Sequence, residues 1–440
     1  MRLFLTLLVC SVYFGLFAQI SPNDFVFTVN TTNPGQSNSN QFIFSFTTPD
    51  SIDIDKDNDG VFDYFGVTNY TQTLNYSTGG IYTVRVRGQI DAISFNSFIT
   101  ERDKIISVDQ WGNSSWTFVD FVECDSLLSL PLDTPDFSRL TLLSFRGCEM
   151  LNSPVDHLDV SNLQNLDRMF EDMPRFNQPL SSWDVSNSIS MNEMFKNCTA
   201  FNQPINNWDV SNAIGMVSMF EGATSFNQPL NIWDVDSVKY IRDIFKDATS
   251  FNQALNNWDV ANVIDIWGAF RNASSFDQDL SSWQFNSLNS NGLAWFLSYS
   301  GLSVTNYDLF LYHLHQNYLN YQYNWLSAEG LKYCQADSVR SILQSVGWFI
   351  TDDSVDCNIT SLKEIAENEQ FSFRPNPANS ILQFENASIG ELLQIFNLQG
   401  QLIKEEFIVQ ANFTLDLSPY ENGVYLIRVG ERMEKVMVQH

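Results

Sequence analysis

Apolar and amide positions recur every 25 residues through the middle of the chain. Phe176, Phe201, Phe226, Phe251 and Phe276 form one column, and Trp183, Trp208, Trp233, Trp258 and Trp283 form another. Leu180, Ile205, Leu230, Leu255 and Leu280 form a third. A unit this short cannot bury its own apolar face, so constant spacing predicts coils stacked as a solenoid. Within each unit Leu166, Met191, Met216, Ile241 and Ile266 are followed three residues on by Met169, Met194, Met219, Ile244 and Ala269. Phe170, Phe195, Phe220, Phe245 and Phe270 come next. The i, i+3, i+4 spacing predicts one face of a short helix. Ser161, Ser186, Ser211 and Asp236 stand at its N-cap position, with Ala261 breaking the series. Pro179, Pro204 and Pro229 favour an extended path after Phe-Asn-Gln. Each coil is therefore read as an extended segment, a turn and a short helix.

The polar columns suggest their own uses. Asn177, Asn202, Asn227 and Asn252, continued by Asp277, run beside Gln178, Gln203, Gln228, Gln253 and Gln278. Buried amides on successive coils can satisfy the backbone of their own coil and the next, a scaffold role. The Trp column is read chiefly as core between coils; the other reading is an exposed aromatic strip for a glycan or peptide. Asp184, Asp209, Asp234 and Asp259 stack like charges, which calls for capping donors or for a ladder of calcium ions. Cys148 and Cys198 fall two coils apart; at ~5 Å per coil that exceeds disulfide reach, so both are read as buried small residues. Cys334 and Cys357, just beyond the repeats, are the expected bridge.

The flanks differ. Residues 20–95 hold short β-type runs at Phe25–Val29, Phe42–Phe46, Leu74–Tyr76 and Ile81–Val86. Among them lie Asp53, Asp55, Asp57, Asp59, Gly60 and Asp63, with acids at alternating positions before a glycine. Asp55, Asp57, Asp59 and Asp63 are the candidate calcium ligands, since carboxylates can wrap a hard cation around a sharp turn. The competing reading is a half-buried strand ending in an Asn-Asp-Gly hairpin turn. After Trp283 the motif stops, and 286–357 carries helical patterns over Tyr307–Tyr323 and Ser338–Trp348, suited to capping the last coil. Residues 370–440 form another small β module after a 358–369 linker.

Composition narrows the function classes. The 440 residues are 44% hydrophobic and 14% aromatic, which excludes a disordered chain. Twenty-three basic residues against 51 acidic ones give a net charge of −28, which argues against nucleic acid as a partner. Met1–Ala18 reads as a signal peptide, with Arg2 before an apolar run, and no later segment is apolar enough to span a membrane. The four histidines, and the lack of any Gly-x-Ser-x-Gly, His-Glu-x-x-His or phosphate loop, point away from an enzyme.

Phe-Asn-Gln-Pro-Leu-x-x-Trp-Asp-Val-Ser followed by Met-x-x-Met-Phe resembles the BspA-like leucine-rich-repeat surface proteins over residues 116–285. That resemblance implies a mixed α/β, leucine-rich-repeat-like solenoid over 96–285, surface display and, in some members, adhesion to host matrix proteins. Gly79-Gly80-Ile81-Tyr82-Thr83-Val84 is similar to the closing strand of PKD-type domains, implying a PKD-like β-sandwich at 20–95. Phe373-Arg374-Pro375-Asn376-Pro377, Ile395–Gln401 and Asn422–Val429 resemble the type A C-terminal sorting domain of the type IX secretion system of Bacteroidetes. It implies a small β-sandwich at 370–440 that engages the type IX machinery, and a protein attached to the outer membrane or released. Two functions follow as expectations. One is an adhesin that binds an extracellular protein or glycan through the solenoid; the other is a structural component of the surface layer or biofilm matrix. Exposed aromatics in the Trp column would favour the first, and a fully buried column with a charged, featureless surface the second.

Overall fold

The computed structural model describes residues 20–68, 70–95, 101–289, 292–319, 325–357, 372–385, 387, 391–397, 401–429 and 432–440. The expected signal peptide (1–18) and linker (358–369) lie outside these residues. The chain divides into two compact units, Met1–Leu163 with Gln178–Asp184, and Gln164–Asn177 with Val185–His440.

In the first unit, β-branched and aromatic runs with period 2 become strands: β1 (Phe25–Asn30), β2 (Gln41–Thr47), β3 (Ile52–Asp55), β4 (Tyr64–Val67), β5 (Thr71–Asn75), β6 (Ile81–Arg87) and β7 (Ala92–Ser94). They are followed by β8 (Ile105–Gln110), β9 (Phe118–Asp120) and β10 (Leu142–Ser144). One sheet has the order β4-β3-β6-β1-β8 and the other β10-β9-β7-β2-β5. The β2 alternation buries Phe42, Phe44 and Phe46. Phe27 of the first sheet meets Phe42 and Phe44 of the second at ring distances of 5.9 and 5.5 Å. The second sheet changes character at β7. β2 pairs antiparallel with it, whereas β9 and then β10 add in parallel, as successive coils must. Trp116 is fully buried just before β9.

In the second unit the coils stack in register through parallel bridges Asn165–Ser190–Gly215–Tyr240–Asp265. Here the structure corrects the fold class. Among the described residues the α-helices are α1 (Val304–Tyr318) and α2 (Asp337–Ser345), both beyond the last Phe-Asn-Gln coil, and the fold is predominantly β. The protein is not a mixed α/β, leucine-rich-repeat-like solenoid. The reason lies in the backbone of the segment read as a helix. Arg168, Glu193, Ser218 and Asp243 have φ of 53–59°, and Gly268 follows at 65°. A left-handed residue reverses the chain locally and brings i, i+3 and i+4 to the inside without a helical turn. The amides alternate accordingly: Met169 N–H donates back to Leu166 C=O, while Arg168, Phe170 and Asp172 donate to Asn192, Met194 and Lys196 on the next coil. No helix is present for the Ser column to cap.

The columns form the core of the stack. Phe176, Phe201, Phe226, Phe251 and Phe276 stack at 5.9–6.1 Å between ring centroids. The Phe170, Phe195, Phe220, Phe245 and Phe270 column repeats at 5.6–5.7 Å. In the Trp column, Nε1 of Trp233, Trp258 and Trp283 donates to the carbonyls of Ile205, Leu230 and Leu255. Burial of rings this size supplies the main driving force, since each removes on the order of 150–250 Å² from water.

Beyond the stack, β11 (Trp325–Ala328) and β12 (Phe349–Asp352) pair in parallel, and Leu326 bridges to Leu293. Ser303 caps α1 by accepting Asn306 N–H, and a disulfide joins Cys334 to Cys357, the expected pair. Cys124, Cys148 and Cys198 are free and buried; the Cys148 and Cys198 thiols donate to the carbonyls of Phe121 and Phe170, and burial raises their pKa. The C-terminal module comprises β13 (Ser372–Arg374), β14 (Ile381–Glu385), β15 (Leu392–Phe396), β16 (Leu402–Phe407), β17 (Phe413–Asp416), β18 (Gly423–Val429) and β19 (Arg432–Val438). Its sheets β13-β14-β17 and β16-β15-β18-β19 contribute Leu382, Phe384, Leu393, Ile395, Leu415 and Ile427 to one core.

Candidate functional site

The acidic loop begins where β3 ends. Asp55 is buried, and its carboxylate accepts the N–H groups of Asp59 and Gly60 at 3.2 and 3.0 Å, closing the turn. Burial raises the Asp55 pKa, against the lowering effect of those amides. Asn58 takes a left-handed conformation, φ 54°, and its Oδ1 is buried without a partner. Ligand atoms of Asp55, Asp57 and Asp63 lie within 4.8 Å of one another. Asp59 stands outside this group, with Oδ1 accepting Val61 N–H at 2.8 Å. Lys56 lies inside it: Nζ bonds Asp63 Oδ1 and approaches Asp57 Oδ2 at 3.7 Å. Its N–H also donates to Asp63 Oδ2. The hydrogen bond to Asp63 raises the Lys56 pKa. The loop therefore carries its own cation, and a metal ion shared by Asp55, Asp57 and Asp63 must displace the Lys56 ammonium.

The stacked aspartates of the repeats have a different occupation. Oδ1 of Asp209, Asp234 and Asp259 accepts the N–H two residues on, from Ser211, Asp236 and Ala261. These are Asx turns, each fixing a corner of its coil. The amide columns are engaged internally as well. Oδ1 of Asn177, Asn202, Asn227 and Asn252 accepts the backbone N–H of the following coil at 2.9–3.0 Å. The same oxygens accept Nε2 of Gln203, Gln228, Gln253 and Gln278 at 2.7–3.0 Å. The Trp column is no more than 4% exposed and offers no strip to a ligand.

On the outside, charge alternates from coil to coil. Arg168 pairs with Glu193 at 2.8 Å, Lys196 with Glu221 at 3.2 Å, and Lys246 with Glu221 at 2.5 Å. Burial works against ionisation of Glu221, but Lys246, Ser218 and Lys196 hold its carboxyl below the usual range. Asp243 lies beside this row with a buried carboxylate whose Oδ1 has no hydrogen bond. Burial is the main reason its pKa is pushed up to about 6.

The sequence reading missed a group of exposed aromatics at the end of the stack. Trp295 follows on from the left-handed position of Gly268, with φ 57°, and Tyr299 repeats the conformation at φ 57°. Bulky side chains rarely adopt this geometry, which costs of order 1–3 kcal/mol. Trp295 is 37% exposed and Tyr299 55%. Trp267 and Trp295 are 6.4 Å apart, and Trp325 meets Phe349 edge to face at 4.9 Å, with both of the latter half exposed. Leu293 and Leu297 N–H bond to Trp325 and Ser327 C=O, so Trp295 and Trp325 sit on adjacent coils. Leu293, Leu297 and Leu326 point inward. Arg271 lies 4.4 Å over the Trp295 ring and Arg242 5.6 Å over Trp267. Arg242 is paired with Asp265, whereas Arg271 makes no ion pair among the described residues.

Comparison with known proteins places two segments. Residues 120–230 and 208–299 match a family described as Mycoplasma protein of unknown function, DUF285. Residues 372–439 match the secretion system C-terminal sorting domain. Over 81 residues the chain is 30% identical to beta-agarase A of Zobellia galactanivorans, a match covering 18% of this chain. The chain thus spans only 15% of that relative's length. No solved structure matches it. No helix among the described residues is long and apolar enough to cross a membrane. The C-terminal module makes this a protein exported by type IX secretion, either attached to the cell surface or released.

Proposed function

We propose that the chain is a non-enzymatic BspA-type surface protein, and that its repeat region binds an extracellular protein or glycan. The observation that carries this reading is the aromatic group at Trp267, Trp295, Trp325 and Phe349. The tryptophans of the 25-residue Trp column are buried, yet Trp295, Trp325 and Phe349 are exposed, with Trp267 partly buried beside Trp295. Tryptophan, tyrosine and arginine dominate the energetics of recognition surfaces, and strained aromatics that serve no core belong to such a surface. Calcium enters this reading only as a stiffener of the N-terminal loop, in competition with Lys56.

The test is a titration of the fluorescently labelled full chain onto cells lacking their own copy. Binding that saturates, and that unlabelled chain competes away, is the expected result. Uptake that stays linear, together with concentration-dependent self-assembly in sedimentation velocity, would support a matrix-building role instead.

A further inference from the structure

We infer that the exposed aromatic face is a subsite for a linear polysaccharide bearing carboxylate or sulfate groups. The inference rests on the binding reading above and names its ligand class. Three observations carry it. First, the rings recur on successive coils, with Trp267, Trp295 and Trp325 following one another along the stack. Parallel strands repeat at ~4.8 Å. Trp267 and Trp295 are 6.4 Å apart and tilted by 59°, so successive rings can meet successive sugars only of a chain that turns along this face. The apolar C–H faces of pyranoses suit the electron-rich faces of indoles.

Second, the face is cationic in a strongly acidic protein. Against a net charge of −28, Arg271 lies over Trp295 without a carboxylate partner among the described residues. Asp265 faces Arg242 and Glu329 is engaged by Ser298 and Thr351, while Asp243, buried nearby, interacts with Arg242 and Arg271 through charge without an ion pair to Arg271. Arg271 Nε is buried without a partner, so the terminal N–H groups of the guanidinium are the donors available to a planar or tetrahedral oxyanion. The net charge of −28 opposes any polyanion at long range, so an acidic sugar must be held by contacts local to this face, where screening by salt leaves the short-range pairs in place.

Third, Trp295 is held left-handed at the position that the preceding coil gives to Gly268. Glycine relieves such strain. A tryptophan kept there and exposed contributes something other than stability.

Affinity electrophoresis of the full chain through gels containing alginate, carrageenan or neutral dextran tests the inference. Retardation by alginate or carrageenan, and not by dextran, is expected, with the stronger of the two identifying carboxylate or sulfate as the charge read. Trp295→Gly should weaken it about tenfold while the melting temperature stays level or rises. Arg271→Gln should weaken charged-polymer binding and make the residual less salt-dependent. Retardation by neither charged polymer, equal retardation by dextran, or unchanged retardation of Trp295→Gly would each overturn the subsite. If the chain still binds cells saturably in those cases, the ligand is a protein and only the present inference falls. If it does not, the binding reading falls too.

Discussion

Asn202 Oδ1 accepts the backbone N–H of Asn227 at 3.0 Å, and Asn227 Oδ1 serves Asn252 in the same way at 2.9 Å. One side chain per coil thus ties two coils together. At the end of the series Asp277 replaces asparagine, and its Oδ1 accepts Ser303 N–H and Asn306 Nδ2. An acceptor-only side chain suits the last rung, where the donors come from the start of α1.

Asn227→Ala should therefore cost more than an ordinary surface truncation. It strands the part-buried Asn252 N–H and Gln253 Nε2, so a loss of about 1–2 kcal/mol is expected from urea unfolding. A loss below about 0.5 kcal/mol would mean that water serves these donors as well as the amide does.

Asp243 makes a pH-dependent prediction. Its folded pKa, about 6, lies above the ordinary 3.8, so the fold prefers the protonated acid. The associated stability is present below about pH 4 and is lost as pH rises through 6. Asp243→Asn should stabilise the protein by ~1 kcal/mol at pH 7, after allowing for screening by solvent and by Lys246, and by nothing at pH 4. Asparagine also accepts the left-handed backbone of this position. Thermal unfolding of both proteins across pH 4–8 checks it, and equal curves throughout would show that Asp243 is not strained by its charge.

At the N-terminal loop, Lys56 competes with any metal. Lys56→Gln should enlarge the calcium-minus-chelator shift in melting temperature by about 2–4 °C relative to the parent. Adding Asp57→Ala should abolish it. A parent and Lys56→Gln variant both indifferent to calcium would leave Asp55, Asp57 and Asp63 as turn and ion-pair residues.

The periodicity made part of this architecture readable and concealed another part. Identical rings at a spacing of 25 required stacked coils, and the Phe, Trp and amide columns meet as that spacing demands. Helical spacing misled, because a left-handed residue at Glu193 or Asp243 places Met194 and Phe195, or Ile244 and Phe245, on the inner face without a helix. Charged residues at these positions carry no sequence mark of positive φ; only Gly268 and Gly222 hinted at it. Asp55, Asp57 and Asp63 come together, but the reading passed over Lys56 between them. Trp295, Trp325 and Phe349 lie outside the regular motif, so no column drew attention to them.

The central claim is that binding runs through the exposed aromatic end of the stack. The most direct measurement is the saturation isotherm on cells for Trp267→Ser/Trp325→Ser/Phe349→Ser beside the parent chain. The account predicts binding at least about tenfold weaker in a variant that still unfolds cooperatively, Trp325 and Phe349 being half exposed and Trp267 partly buried. An unchanged isotherm in a folded variant would contradict it.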